Sequence, residues 1–121
     1  MKYNSKEITL PSGATAVIRD ARMLLVRDRN KVLESAGDSD NGGMMQAIGM
    51  QNGLIAVMVE SWSFDLLPPS IRIDSIDELT PLDYEALLEH SLPAQNALFP
   101  SLAANETNVS DPKVSIANFN A

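Results

Sequence analysis

The chain has 121 residues, 45% apolar and only 5% aromatic, and its nine Lys and Arg stand against sixteen Asp and Glu for a net charge of −7. That length suits one domain with a modest core of Leu, Ile, Val, Met and Ala, and the acidic balance argues against nucleic acid and anionic membrane surfaces, which both demand a basic face. No cysteine is present, which excludes disulfides and thiolate metal sites and makes a reducing cytosol the expected compartment.

Met1 to Leu10 carries charge but no apolar leader core, so no signal peptide is expected. Ile8 and Leu10 alternate with polar neighbours, and Ala14, Ala16 and Ile18 alternate with Thr15, Val17 and Arg19. Between them Pro11-Ser12-Gly13 is a turn, with Pro presetting φ and Gly free to take positive φ. Residues 6–19 therefore predict a β-hairpin, which must lie against a helix or a neighbouring chain because an isolated hairpin is marginal in water.

Asp20 is a good N-cap for a helix over about 21–36, with Leu25, Val32 and Ala36 on one face and Gly37 as its stop. Residues 44–60 are the richest in apolar side chains and predict a second helix. Met44, Ala47, Ile48, Ile55 and Met58 share a side, and Met50, Leu54 and Val57 extend the apolar surface, as in a buried central helix. Gly49 and Gly53 inside it either allow close helix approach or mark a late start or a bend. The longest apolar run, Leu54 to Val59, is far short of a membrane span.

Pro68-Pro69 excludes continuous helix in the connection that follows, and Ser75 to Leu79 reads as a short helical turn. Thr80-Pro81-Leu82-Asp83 combines an N-cap, a Pro at the first helical position and a first-turn carboxylate. It predicts a helix over about 81–92, with Tyr84, Leu87, Leu88 and Ser91 inward. Pro93 ends or kinks it, and Ala94 to Leu98 reads as another turn. The predicted class is thus α+β: an N-terminal β-hairpin followed by a small three- to four-helix domain over 1–100, with residues 101–121 as a polar, flexible, disordered tail.

Chemistry is sparse. Asp38, Asp40 and Gly43 echo the start of a calcium loop, but its fifth position is Gly42 and its twelfth is Gly49, where a bidentate Glu is required. The single histidine, His90, suits the end of a helix and has no cysteine partner. There is no phosphate-binding loop and no dinucleotide fingerprint. No catalytic residue, metal ligand or cofactor is expected, and the chain reads as a binding protein rather than an enzyme. Trp62, Phe64, Leu66 and Leu67 either lid the core or form an exposed apolar strip that docks a helix of another protein.

Three stretches, in order, carry a resemblance: Ile8 to Asp20 around Pro11-Ser12-Gly13; the apolar helix leading into Glu60-Ser61-Trp62-Ser63-Phe64-Asp65 with Pro68 after it; and Ile76 to Leu88 around Thr80-Pro81-Leu82-Asp83-Tyr84. In these, and in their spacing and total length, the chain resembles the small tail assembly chaperones of long-tailed bacteriophages, especially those infecting actinobacteria. The resemblance covers most of residues 8–99 and rests on order and spacing rather than on a strict motif. It implies a protein of the host cytoplasm that binds the long helical tape measure protein, keeps it soluble until tail tube subunits polymerise around it, and is not retained in the virion. It also implies, in many phages, a longer frameshifted form of the chain as a further partner.

On that reading the contact surface comprises Trp62, Phe64, Leu66 and Leu67 with Met44, Ile48, Ile55 and Met58 of the apolar helix, and homo-oligomers are open. The alternative is a small structural subunit of the virion, such as a tail or connector protein, whose hairpin and tail pair with neighbouring copies. A nuclease inhibitor that mimics DNA would instead need acidic residues spaced like phosphates on one face.

Overall fold

Pro11, Ser12 and Gly13 turn the chain back on itself as their composition predicts. In the computed structural model, which describes residues 3–37 and 43–101, Gly13 takes φ +93°. The Leu10 amide donates to Ala14 O at 2.7 Å and the Gly13 amide to Leu10 O at 2.8 Å. The turn joins β1 (Lys6–Thr9) to β2 (Thr15–Ile18), antiparallel with Ile8 opposite Ala16 and Thr9 opposite Thr15. Ile8, Leu10, Ala16 and Ile18 all face the core.

The hairpin has a third strand. β3 (Val59–Trp62) pairs antiparallel with β2, giving the sheet order β1-β2-β3. Val59 lies opposite Ile18 and Ser61 opposite Val17, so a bulge falls at Glu60. This corrects the expected helix over 44–60: α2 spans Gly43–Met58 and the chain changes to strand at Val59. Arg19 gives the reason. Its amide donates to Met58 O at 2.8 Å and its Nη1 to Val57 O at 2.9 Å. Two last-turn carbonyls that have no partner within the helix are thereby satisfied, and a positive charge sits at the negative end of the helix.

The helix expected over 21–36 is also split. Asp20 does cap, accepting from the Arg22 amide at 2.9 Å, but the element it starts is a single 3-10 turn, Ala21–Met23. Leu24 and Leu25 are extended, and α1 runs over Val26–Ala36. The Leu25 amide donates to Asp28 Oδ2 at 2.8 Å, which places the helix start one residue beyond Leu25. Leu25 is exposed, and the buried face of α1 is Asp28, Val32 and Ala36. Gly37 ends the helix with φ +72°.

α1 and α2 lie antiparallel at short range. A Cβ on Gly49 would fall on the Ser35 carbonyl oxygen, and one on Gly53 would lie 2.9 Å from Val32 Cα. The two glycines therefore serve close helix approach. A 3-10 helix, Ile73–Glu78, buries Ser75 and Ile76. α3 (Pro81–Ser91) starts as predicted, with Thr80 Oγ1 accepting from the Asp83 amide at 3.2 Å. Pro93 ends that helix and occupies the first turn of α4 (Pro93–Leu98). The core gathers Ile8, Ile18, Val32, Leu54, Ile55, Met58, Leu87 and Leu98 from sheet and helices alike. The architecture is α+β: among the described residues a three-stranded antiparallel sheet, begun by the N-terminal hairpin and completed by β3 after α2, packs with four α-helices. The turn at 38–42 with its calcium-like start, and the tail from 102 onward, lie outside the described residues.

Candidate partner-binding surface

No three His, Cys, Asp or Glu among the described residues come together as a metal site. His90 is exposed in the last turn of α3. None of the described helices is long and apolar enough to cross a membrane.

The eight residues expected to form a contact surface divide into three groups. Ile55 and Met58 are 0% and 2% exposed; they are core, and a partner reaches neither without opening the fold. Trp62 and Phe64 are half-buried and pack against the core. Their rings meet edge to face, 5.1 Å between centroids, and Trp62 Nε1 donates to Leu66 O at 3.0 Å. The pair thus packs on the core, and the indole bond ties Leu66 to the end of β3. Leu66, Leu67, Met44 and Ile48 remain accessible.

Met44 and Ile48 belong with Met45 to the first half of α2, at 78%, 40% and 62% exposure. They continue outward the helical row that ends at Ile55 in the core, because residues 44, 48, 51 and 55 follow one another along one stripe. On the seam with α1, Leu33, Ala36, Ala47 and Met50 line an apolar recess of about 340 Å³. Leu66 and Leu67 border a separate recess of about 380 Å³ shared with Arg72, Asp77 and Glu78. The expected surface is therefore two separate exposed apolar areas rather than one strip.

Two features had no signal along the chain. One is the burial of two carboxylates, Asp28 and Asp83, which are 5% and 1% exposed. Asp28 lies 3.7 Å from Arg19 and holds the Leu25 amide, while Asp83 Oδ1 accepts from the Ser12 amide at 3.0 Å. The other is a groove between α1 and residues 69–77, floored by Gly49, Asn52, Ala56 and Val57 of α2. Its walls come from three separated segments. Beside it the Tyr84 hydroxyl donates to Asn52 Oδ1 at 2.8 Å, and burial, with the negative charge of Glu85 second, raises the pKa of that phenol.

Comparisons of the chain with protein-family models, with curated proteins and with solved structures gave no match.

Proposed function

We propose that this chain is a tail assembly chaperone of a long-tailed bacteriophage, which binds the helical tape measure protein in the host cytoplasm and keeps it soluble during tail assembly. The observation that carries the reading is the exposed methionine-rich half of α2, Met44, Met45 and Ile48, on a chain of net charge −7. A holdase needs apolar area to cover its client, and flexible Met side chains repack against varied apolar surfaces. Charge of one sign keeps the loaded complexes apart in solution. The resemblance over residues 8–99 supplies the client.

Co-expression with the long helical tape protein of the same genome, followed by sedimentation and pull-down, tests this. The tape protein is expected to stay soluble only in the presence of this chain and to co-purify with it. A tape protein that precipitates regardless, while this chain alone builds rings or tubes, would favour a structural subunit of the virion. The sheet order favours that second reading to one extent: β1 and β3 are both edge strands, with backbone groups available to a neighbouring copy.

A further inference from the structure

Two helix faces of opposite charge are left uncovered. α1 and α3 each pack on α2, and each turns apolar side chains outward. On α1, residues 26, 30 and 33 follow one another along one stripe, and Val26 is 61% and Leu33 48% exposed. Three of the chain's nine Lys and Arg, namely Arg27, Arg29 and Lys31, flank this stripe. None of the three forms an ion pair among the described residues, where the pairs are Arg19–Asp28 and Arg22–Asp20. Asp28 is buried, so the exposed carboxylate of α1 is Glu34, in the last turn.

α3 has the opposite chemistry. Residues 82, 85, 89 and 92 follow its outward stripe, with Leu82 70% and Leu92 45% exposed. Glu85 and Glu89 lie between the two leucines and Ala86 and Leu88 beside them, and these side chains border a recess of about 380 Å³. α3 contains no Lys or Arg, and His90 in its last turn lies outside the recess. Leucines set around two glutamates fit a helix that offers apolar contacts together with cations. α1 offers both, in Val26 and Leu33 and the cations around them. Each stripe lies opposite the buried side of its own helix, which is Val32 and Ala36 in α1 and Leu87 and Ser91 in α3. Within one chain the stripes therefore point away from the core rather than toward each other, and a second copy is what brings them together.

We propose that the α1 face of one copy docks on the α3 face of a second copy. Val26 and Leu33 meet Leu82 and Leu92, while Arg27, Arg29 and Lys31 meet Glu85 and Glu89. Copies of a chain of net charge −7 repel one another in general. Self-association then needs a local reversal of sign, which α1 supplies and which fixes the face that docks. Because the contact joins unlike faces, a joined pair keeps one face of each kind for further contact. The proposal is independent of the client reading, which is tested by the solubility of the tape protein and not by self-association.

Sedimentation equilibrium of the full chain, from micromolar to millimolar concentration at low salt, tests the docking. The average mass is expected to rise with concentration. Two double variants carry a reversed face: Arg27→Glu with Lys31→Glu on α1, and Glu85→Lys with Glu89→Lys on α3. All four positions are exposed, and circular dichroism should show the wild-type fold in both variants. Each variant alone is expected to associate roughly tenfold more weakly, as exposed ion pairs turned into like-charge contacts give. Mixed in equal amounts, the two variants again have complementary faces and should recover the association. The α3 variant discriminates most sharply. It lowers the net negative charge by four, so relief of general repulsion alone would make it associate more strongly than wild type. A chain that stays monomeric throughout, an α3 variant that associates as well as wild type or better, an unaffected α1 variant, or a mixture no stronger than its parts would each overturn the docking. Undiminished self-association of both variants with lost capture of the tape protein would overturn it too, and would assign the two faces to the client.

Discussion

The backbone amide of Ser12, in the hairpin turn, donates to the carboxylate of Asp83, in the first turn of α3, at 3.0 Å across 71 residues of sequence. Asp83 is 1% exposed, and its own amide is held by Thr80 Oγ1. One carboxylate thus ties the sheet to the helical layer. Asp83→Ala leaves the Ser12 amide without its partner and is expected to destabilise by about 1–3 kcal/mol. Asp83→Asn retains an acceptor and should fall between Ala and wild type. Urea midpoints of the three proteins check the order.

Alanine in place of a helical glycine ordinarily stabilises by about 1 kcal/mol. At Gly49 and Gly53 the sign is expected to reverse, because the new Cβ meets the α1 backbone at Ser35 and Val32. Gly49→Ala should destabilise by about 1–3 kcal/mol as the helices are forced apart. Gly43→Ala has nothing within 4 Å of the added carbon and should leave the melting temperature unchanged or raise it. Parallel thermal melts decide this.

The exposed and buried members of the apolar row on α2 should respond oppositely to charge. Met44→Asp and Ile48→Asp, on solvated positions, are expected to shift stability by no more than about 0.5 kcal/mol while abolishing capture of the tape protein. Met58→Asp buries an unpaired carboxylate in the core and should unfold the chain, at a cost above about 4 kcal/mol. Circular dichroism with pull-down separates the two effects. Full client capture by both surface variants would show that the first half of α2 is not the contact.

Arg22 holds the Asp20 carboxyl at about 2, below its ordinary 3.8, first through the side-chain bond from its guanidinium and then through its own amide. A depressed folded-state pKa stabilises above the unfolded value and loses that contribution as pH falls through the folded one. The Asp20–Arg22 contribution is therefore whole above about pH 4 and disappears toward pH 2. Carboxyl NMR should show Asp20 titrating in this low range and moving upward in Arg22→Ala. An unchanged Asp20 titration in that variant would remove Arg22 as the cause.

The sequence by itself determined what depends on neighbouring residues. Pro11-Ser12-Gly13 is a turn and Thr80-Pro81 a helix start because the conformational limits of Pro and Gly and the reach of a Thr hydroxyl act within about four residues. Period-two and helical patterning likewise placed Ile8, Ala16, Val32 and Leu87 inside. The run Leu54 to Val59 is apolar throughout and carries no period to say where helix ends and strand begins. The pairing of β3 with β2, and Arg19 at the Val57 and Met58 carbonyls, decided that. The burial of Asp28 and Asp83 depended in the same way on partners supplied by other elements. Tertiary structure also sorted the row from Met44 to Met58, since one helical stripe can run from core into solvent and its pattern does not show where the neighbouring elements stop. The groove between α1 and residues 69–77 exists only once Gly49 and Gly53 let α1 and α2 close together. Local sterics and hydrogen bonds act over a few residues, whereas burial and charge juxtaposition are properties of the packed chain.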